Sequence, residues 1–548
     1  MSRRMNRLRL IFDKSLTCAN ALDKAAEYHP TSVLFHPTEA LPYNFLAEGS
    51  IDMRLWLRFV NKIGNLLQAN GLRQYDRVAI YKTNNIDYFF ISLAIIKVGG
   101  IAVPINSNMN AENVEYYLKF VGAKFVFTDY LTIQKNKINF ITLKDDYIWL
   151  FPDLLTDYET NCIDINKSIP TQSDQLVAIN SCKDSIVLIV HTSGTTGFPK
   201  GVICNSEGIV AAIKGHYKSE PISVKNRIAV VGHYNHLVYY VGFFTSMLAN
   251  MSIHTLPPEN ITQVINTIEK EKIDIFLAFP DIYLRMIEKG LKKQNLQSVK
   301  VWISTGDASH GVHIKEFCNA GTFLSLFGKK IMGAVFIDVI GTSEVGSGAL
   351  RRIILPFTRQ STKRCIGKPF FGGPNVKVVD ENGKKLPNGI PGRLLVNGKM
   401  LFKGCWNSHE ALLGTVYDNW WWTGDWVIKN TFGQYYHLDR FADRILTSVG
   451  TIYSLLVEEI LLTHPQILEA VVIGVPDEKL GQAAIAIVAP FPNTNLKAED
   501  ILEWVNQDTY LTIKLQNVFL LPFDEIPRGL TGKVLKRVLR KSYTNTGI

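Results

Sequence analysis

The chain has 548 residues, 47% hydrophobic and 20% charged, and its 59 Lys and Arg against 49 Asp and Glu give a formal net charge of +10. That balance is ordinary for a globular protein, and the length exceeds a single core, so two or more domains are expected. No window approaches ~18 uninterrupted apolar residues, so no membrane span is expected, and the basic residues are scattered rather than gathered into a tract suited to nucleic acid.

The first twelve residues, MSRRMNRLRLIF, are basic but lack the apolar core of a signal peptide; an Arg-rich targeting helix stays open. Seven cysteines (Cys18, Cys162, Cys182, Cys204, Cys318, Cys365, Cys405) form no CxxC pair and no zinc spacing. They fit a reducing compartment, and a cytoplasmic location is expected. Residues 52 to 70 carry Leu55, Phe59, Ile63 and Leu67 on one helical face. Next come a strand in YDRVAIYKTNN, a helix from Tyr88 to Val98 ended by Gly99 and Gly100, the strand IAVPIN, a helix near Glu112 to Val121 and the strand AKFVFTD. Alternating strand and helix argue for a parallel sheet covered by helices. Residues 130 to 180 are polar and less regular, and suggest no chemistry.

Residues 185 to 202 read SIVLIVHTSGTTGFPKGV. A short apolar strand stops at His191 and opens into Thr192, Ser193, Gly194, Thr195, Thr196 and Gly197, closing on Pro199 and Lys200. Glycines let backbone N–H groups approach phosphate oxygens, hydroxyls add donors, and the lysine adds a cation. The loop is neither GxxxxGK[ST] nor GxGxxG. A helix is expected from Asn205 to His216, which would set the loop near a helix N-terminus. Ile228 to Phe244 reads as a strand running into an aromatic, His-containing turn with Tyr234 and His236. DIFLAFP is a strand followed by a helix, and VKVWIS is a strand that empties into Gly306, Asp307 and Ala308. VFIDVIGTSEVG is again a strand, holding Asp338, then a turn with Thr342, Ser343 and Glu344. A threonine suits a phosphate oxygen, and a glutamate suits Mg²⁺ bridging phosphates. Turn-rich short strands follow, up to WWWTGDWV, where the carboxylate of Asp425 suits a pair of ribose hydroxyls. After LDRFADRIL the pattern becomes a small α+β unit, ending in DEIPRGLTGKVLKRVLR with Lys533 in a loop between glycines.

TSGTTGFPKG resembles the signature loop of the adenylate-forming superfamily, which holds acyl- and aryl-CoA synthetases, peptide-synthetase adenylation domains and beetle luciferases. Four more strings follow in that family's order, TGDAS, IGTSE, WWWTGDWV with DRFADR, and PRGLTGK, and the likeness runs from roughly residue 40 to 542. The resemblance implies an α/β fold. A large N-terminal domain (1–438) of stacked, mostly parallel sheets with helices would carry a β-barrel-like subdomain (about 350–430), and a small mobile α+β lid would span 439–548. It implies adenine on Gly306, Asp307 and Ala308, phosphates on Thr192 to Lys200 with Thr342 and Ser343, and Mg²⁺ on Glu344. Ribose would lie on Asp425 and Arg440, the acid beside Tyr234, His236 and Asp338, and Lys533 would be catalytic with Thr342 and Glu344. The substrates implied are ATP, a small aryl or medium-chain carboxylic acid and CoA, with acyl carrier protein as an alternative acceptor and a monomer or homodimer as the assembly.

The chain departs from the family pattern in four places. Ile340 stands where Tyr is usual, Ala442 at the hinge, Val449 where a glycine is customary and Ser454 where proline is. The last three fall on stretches the family uses for thioester formation. Two other readings therefore stand beside CoA ligation: adenylation with transfer to a carrier's pantetheine, and a degenerate nucleotide-binding homologue.

Overall fold

The computed structural model describes residues 9–46, 51–153, 161–179, 182–192, 199–219, 226–326, 329–346, 348–358, 364–408, 410, 413–509, 511–529 and 532–544. Two seven-stranded sheets form the larger part. In the first, Phe35–Pro37, Ser252–Leu256, Arg227–Val231, Ile275–Ala278, Val301–Thr305 and Val335–Ile340 run parallel in that spatial order. Leu350–Ile354 closes its edge antiparallel. In the second, Cys162–Asp164, Ile148–Phe151, Ala123–Phe127, Arg77–Ile80, Ile101–Pro104 and Ile186–Thr192 are parallel, and Lys200–Asn205 closes the edge antiparallel.

The largest core joins helices Met53–Ala69, Asp87–Lys97, Ser206–Ser219 and Leu237–Ala249 to strands of both sheets. Every residue of Asp87–Lys97 is buried. Such a helix is apolar all round and shows no polar face. That helix matches the one expected over Tyr88 to Val98, whereas the aromatic stretch after His236, expected as a turn, is the helix Leu237–Ala249 with ten buried side chains. Strands Ile148–Phe151 and Cys162–Asp164 lie in the stretch expected to be irregular and lengthen the second sheet. They are short, and the second has no fully buried residue, so little alternation marks them.

The β-rich piece is a six-stranded antiparallel sheet built from Cys365–Gly367, Asn375–Val379, Gly392–Asn397, Val416–Tyr417, Trp420–Lys429 and Tyr435–Arg440. Leu350–Ile354, expected in this piece, belongs instead to the first large sheet. After Arg440 come a hairpin (Ile445–Thr447, Gly450–Ile452) and a three-stranded sheet (Ile467–Asp477, Gly481–Pro490, Asn517–Leu520) flanked by helices. This C-terminal unit rests on the first large sheet's helices. Leu468, Ile473, Phe523 and Leu539 share one buried cluster with Ile282, Met286, Ile314 and Phe317.

Trp56, fully buried, stacks on Phe90 with ring centroids 3.5 Å apart and planes 4° from parallel. Trp56→Ala is expected to cost about 3–5 kcal/mol, as for other large-to-small changes in a packed layer. A lower urea midpoint of the N-terminal transition would register it, and a cost below about 1 kcal/mol would mean the layer closes over the hole.

Candidate active site

The second sheet ends in a hairpin whose open end pairs Thr192 with Lys200. Ser193, Gly194, Thr195, Thr196 and Gly197 lie outside the described residues. The strand Lys200–Asn205 intervenes before the helix Ser206–Ser219. At about 3.3 Å per residue that strand sets the helix N-terminus well away from Lys200. Below the hairpin, His191 Nε2 accepts the Asn106 N–H at 3.0 Å and lies 3.2 Å from Asn235 Nδ2. Burial pushes His191 down to about 4, which keeps the ring neutral and its Nε2 an acceptor. Sequence reasoning gave His191 and Asn106 no role. The only signal was the polar residue that ends an apolar strand.

His236 is buried, and its Nε2 has no hydrogen-bond partner among the described residues. Burial, then the proximity of His191, His233 and Lys533, holds it well below the usual histidine range. Its ring lies 5.3 Å from Phe279. Gly306 (φ +88°) faces the same Phe279, and a Cβ there would come within 2.9 Å of that ring. His236, Phe279 and Gly306 thus form one wall. Tyr234 is not brought to it. Its hydroxyl points at the Val230 and Leu256 carbonyls, 3.3 and 3.2 Å away inside the sheet.

The turn after Val301–Thr305 holds itself together. Asp307 Oδ1 accepts the Ala308 N–H at 2.7 Å, and Ser309 N–H donates to Asp338 Oδ2 at 3.1 Å. Asp338 therefore sits under this turn, apart from Tyr234. Next to it, Ser343–Val345 forms a 3₁₀ turn, and Thr342 Oγ1 is buried with no partner among the described residues. The Glu344 carbonyl accepts the Phe402 N–H at 2.9 Å, which fixes the turn that carries its carboxylate.

Asp425 and Arg440 are a cross-strand pair. Arg440 Nε lies 3.2 Å from Asp425 Oδ1, and His437 Nε2 lies 3.3 Å from the same oxygen. Burial would raise the Asp425 carboxyl, but Arg440 and His437 hold it well below the usual carboxylate range. Lys533 comes from the C-terminal unit. Burial lowers its ammonium; Asp307, Asp425 and Glu344 oppose that, and Arg440 adds to it. Glu344 and Asp307 also act on Arg440. Lys200 joins them through Cys405, whose thiol feels both Glu344 and Lys200. Asp307, Glu344, Asp425, Arg440 and Lys533 therefore act on one another, and Lys200 meets Glu344 at Cys405. The loop that carries Lys533 is seated by Gly532 (φ +75°), where a Cβ would stand 2.3 to 2.6 Å from the Asp281 carboxylate.

No group of three or more His, Cys, Asp or Glu fit for a metal occurs among the described residues. A single carboxylate, Glu344, beside an unpartnered Thr342 hydroxyl suits Mg²⁺, which takes most of its ligands from water and phosphate.

Burial pushes the Asp338 carboxyl up to about 7 against the pull of Arg352 and the Ser309 N–H. Between the ordinary carboxylate value near ~3.9 and about 7, the folded chain keeps a proton that the unfolded chain releases. Stability is thus lost as pH rises through that window and is level above it. Asp338→Asn keeps an acceptor for Ser309 without the charge. Its gain in melting temperature over wild type is expected to grow from pH 5 to pH 7 and then hold, and a pH-independent difference would contradict the assignment.

Two family models match the chain: AMP-binding enzyme over residues 54–406 and AMP-binding enzyme C-terminal domain over residues 456–533. The chain is 27% identical to a 3-aminoavenalumate diazotase of Streptomyces sp, over 87% of this chain and 86% of that protein. It is 25% identical to the long-chain-fatty-acid–CoA ligase FadD13 of Mycobacterium tuberculosis, over 91% and 95%. The fold matches that of the anthranilate CoA ligase AuaEII, solved with anthranoyl-AMP, at a TM-score of 0.82 and 20% identity, covering 99% of both chains. With the first family model spanning more than half of its length, and the second lying over the unit that delivers Lys533, the chain belongs to the AMP-binding enzymes of the adenylate-forming superfamily.

Proposed function

We propose that the protein activates a carboxylic acid with ATP as an acyl-adenylate and passes the acyl group to CoA. One observation carries this reading: Lys533 reaches the same neighbourhood as Asp307, Glu344, Asp425 and Arg440, although more than two hundred residues separate its ends. In this reading Asp425, kept ionised by Arg440 and His437, accepts the ribose hydroxyls. The Gly306–Ala308 turn lies against adenine. Thr192, Lys200 and the loop between them bind the phosphates with Thr342 and Ser343. Glu344 would hold Mg²⁺, which supplies charge neutralisation on the phosphates when bound.

The acid's carboxylate oxygen bonds to the α-phosphorus while the α–β bridging P–O bond breaks and pyrophosphate leaves. Lys533 stands where charge grows on the α-phosphate oxygens, and a compact ammonium is suited to that place. The C-terminal unit then acts as a lid, turning about residues 440 to 442. The CoA sulfur bonds to the acyl carbon, AMP departs, and the thiol proton goes to solvent. The wall of His236, Phe279 and Gly306 and the ring of Tyr239 favour an aryl or medium-sized acid. Relatives named as 4-coumarate–CoA ligases point the same way.

A second acceptor presents the same kind of thiol, since CoA and a carrier protein both carry it on a pantetheine arm. Val449, at the tip of the Ile445–Ile452 hairpin, is 69% exposed, so a bulky side chain stands where the family's glycine would pass a pantetheine arm. Transfer to a carrier's pantetheine, offered as a thiol on a protein surface, is the alternative.

Carboxylate-dependent exchange of pyrophosphate into ATP over a panel of acids tests the first step. Aryl and medium-chain acids are expected to support exchange, and Lys533→Ala to reduce it by about 10²-fold or more while the fold is kept. Gly532→Ala should lose exchange too, because its Cβ drives the loop off Asp281. Unchanged exchange in Lys533→Ala would remove that residue from the chemistry. No exchange by wild type with any acid would favour the degenerate homologue, and thioester assays with free CoA against carrier protein separate the two acceptors.

A further inference from the structure

The C-terminal unit sends a second charged group to the nucleotide side of the site. Glu459, on the helix Ser454–Leu461, is 4% exposed. Its Oε1 lies 2.8 Å from His310 Nδ1 and 3.8 Å from Arg364 Nη1, both in the N-terminal part. Arg364 is itself 5% exposed. Its Nη2 donates to the Ala308 carbonyl at 2.8 Å and lies 3.5 Å from Asp307 Oδ1. One planar guanidinium therefore joins the backbone of the Gly306–Ser309 turn to a carboxylate of the C-terminal unit. The next helical turn repeats the contact, with His313 Nε2 3.0 Å from the Leu468 carbonyl.

We propose that Glu459, His310 and Arg364 form a latch that couples seating of the C-terminal unit to the shape of the nucleotide-binding turn. The inference rests on the ATP reading above and deepens it. Arg364 and Glu459 are positioning residues; Asp307 and Lys533 are what they position.

The argument is one of charge. With the unit seated, Glu459 balances Arg364 at 3.8 Å and bonds to His310, while Arg364 turns Nη1 toward His310 and shares Nη2 between the Ala308 carbonyl and Asp307. Asp307 is shared between Lys533, the first of the cations that hold it down to about 2 against burial, and Arg364, 3.5 Å away. With the unit withdrawn, Glu459 leaves and Lys533 leaves with it. Arg364 is then a buried guanidinium whose nearest carboxylate is Asp307, and a buried charge does not stay unpaired. It would close its 3.5 Å contact with Asp307 at the expense of the Ala308 carbonyl, changing the turn that holds adenine. Stability alone is a poor reason for such a cluster. Arg364 Nε has no partner among the described residues, and a buried ion pair with an unsatisfied donor is often no better than apolar packing.

The test uses the full chain with ATP and Mg²⁺. Calorimetry gives the ATP affinity, and hydrogen–deuterium exchange follows peptides covering residues 306–310 and 523–534. Wild type, Glu459→Gln, Arg364→Met and the double variant are compared. Wild type is expected to bind ATP and protect both peptides together. Each single change is expected to weaken ATP about tenfold and remove both protections at once. The double variant should be no weaker than the worse single one. A merely structural cluster would lower the melting temperature, give additive losses and leave ATP-dependent protection of 523–534 intact; that result overturns the latch. So does ATP binding within twofold of wild type in Glu459→Gln. Absence of ATP binding in wild type would sink the nucleotide reading itself, which separates the two failures. If Glu459→Gln does not fold, Arg364→Met and Glu459→Asp carry the same comparison, with Asp expected to fall between wild type and Arg364→Met.

Discussion

A partly buried ammonium is held charged by carboxylates, and Lys533 has three acting on it, from the turns at Asp307 and Glu344 and from the strand that carries Asp425. That requirement joins the two ends of the molecule. Without the lysine, three carboxylates would face one another with Arg440 as the main counter-charge. Without the carboxylates, burial would strip the lysine of its proton. The seat is specific in shape as well as charge. Gly532 touches the Asp281 carboxylate so closely that no side chain fits, so the chain can deliver Lys533 only by one path.

The sheets explain why such distant residues meet. The Gly306–Ala308 and Thr342–Glu344 turns follow the C-terminal ends of two neighbouring parallel strands of the first sheet, and Thr192 is the C-terminal residue of a strand of the second that is parallel to Ile101–Pro104. Loops at the carboxyl ends of parallel strands gather on one side of a sheet and are held by a rigid scaffold. Between the sheets, the helices Asp87–Lys97 and Leu237–Ala249 fix their separation through a continuous apolar layer. His236 stands at the start of the second helix, so the layer that stabilises the fold also places the wall of the pocket.

Around Arg440 the chain changes units through a short, crowded passage. Asp439 is fully buried and accepts the Ser454 N–H at 2.6 Å, and Lys536 reaches both Ser454 Oγ and Glu458 at 2.6 and 2.7 Å. Ser454, which takes a proline's place in the family pattern, thus keeps an N–H that proline would lack, and that N–H ties the start of the helix to the strand before the hinge. Val449 and Leu446 stand out in solvent on the neighbouring hairpin. The departures that distinguish this chain from its family thus fall into two kinds, one absorbed into packing and one left exposed.

Much was legible in the residues in order. Strand and helix alternation, the small α+β unit and the strings around Lys200, Glu344, Asp425 and Lys533 all rest on local rules of periodicity, turn chemistry and short-range spacing. Local rules succeeded for the wholly buried helix Asp87–Lys97, which ends on Gly99 and Gly100, and failed for Leu237–Ala249, read as an aromatic turn, and for very short strands such as Cys162–Asp164. They also failed for side chains whose role depends on a neighbour far along the chain. Tyr234 and His236 are two residues apart, yet one lies inside a sheet and the other faces Phe279. His191, Asn106, Arg364 and Glu459 carry no motif at all. The sequence by itself determined which chemical groups exist and which strands and helices hold them, because those follow from contacts between near neighbours. Tertiary structure alone decided which charges share a site, because pairing between distant residues is set by how sheets and units pack, and only burial makes an unpaired charge costly enough to enforce it.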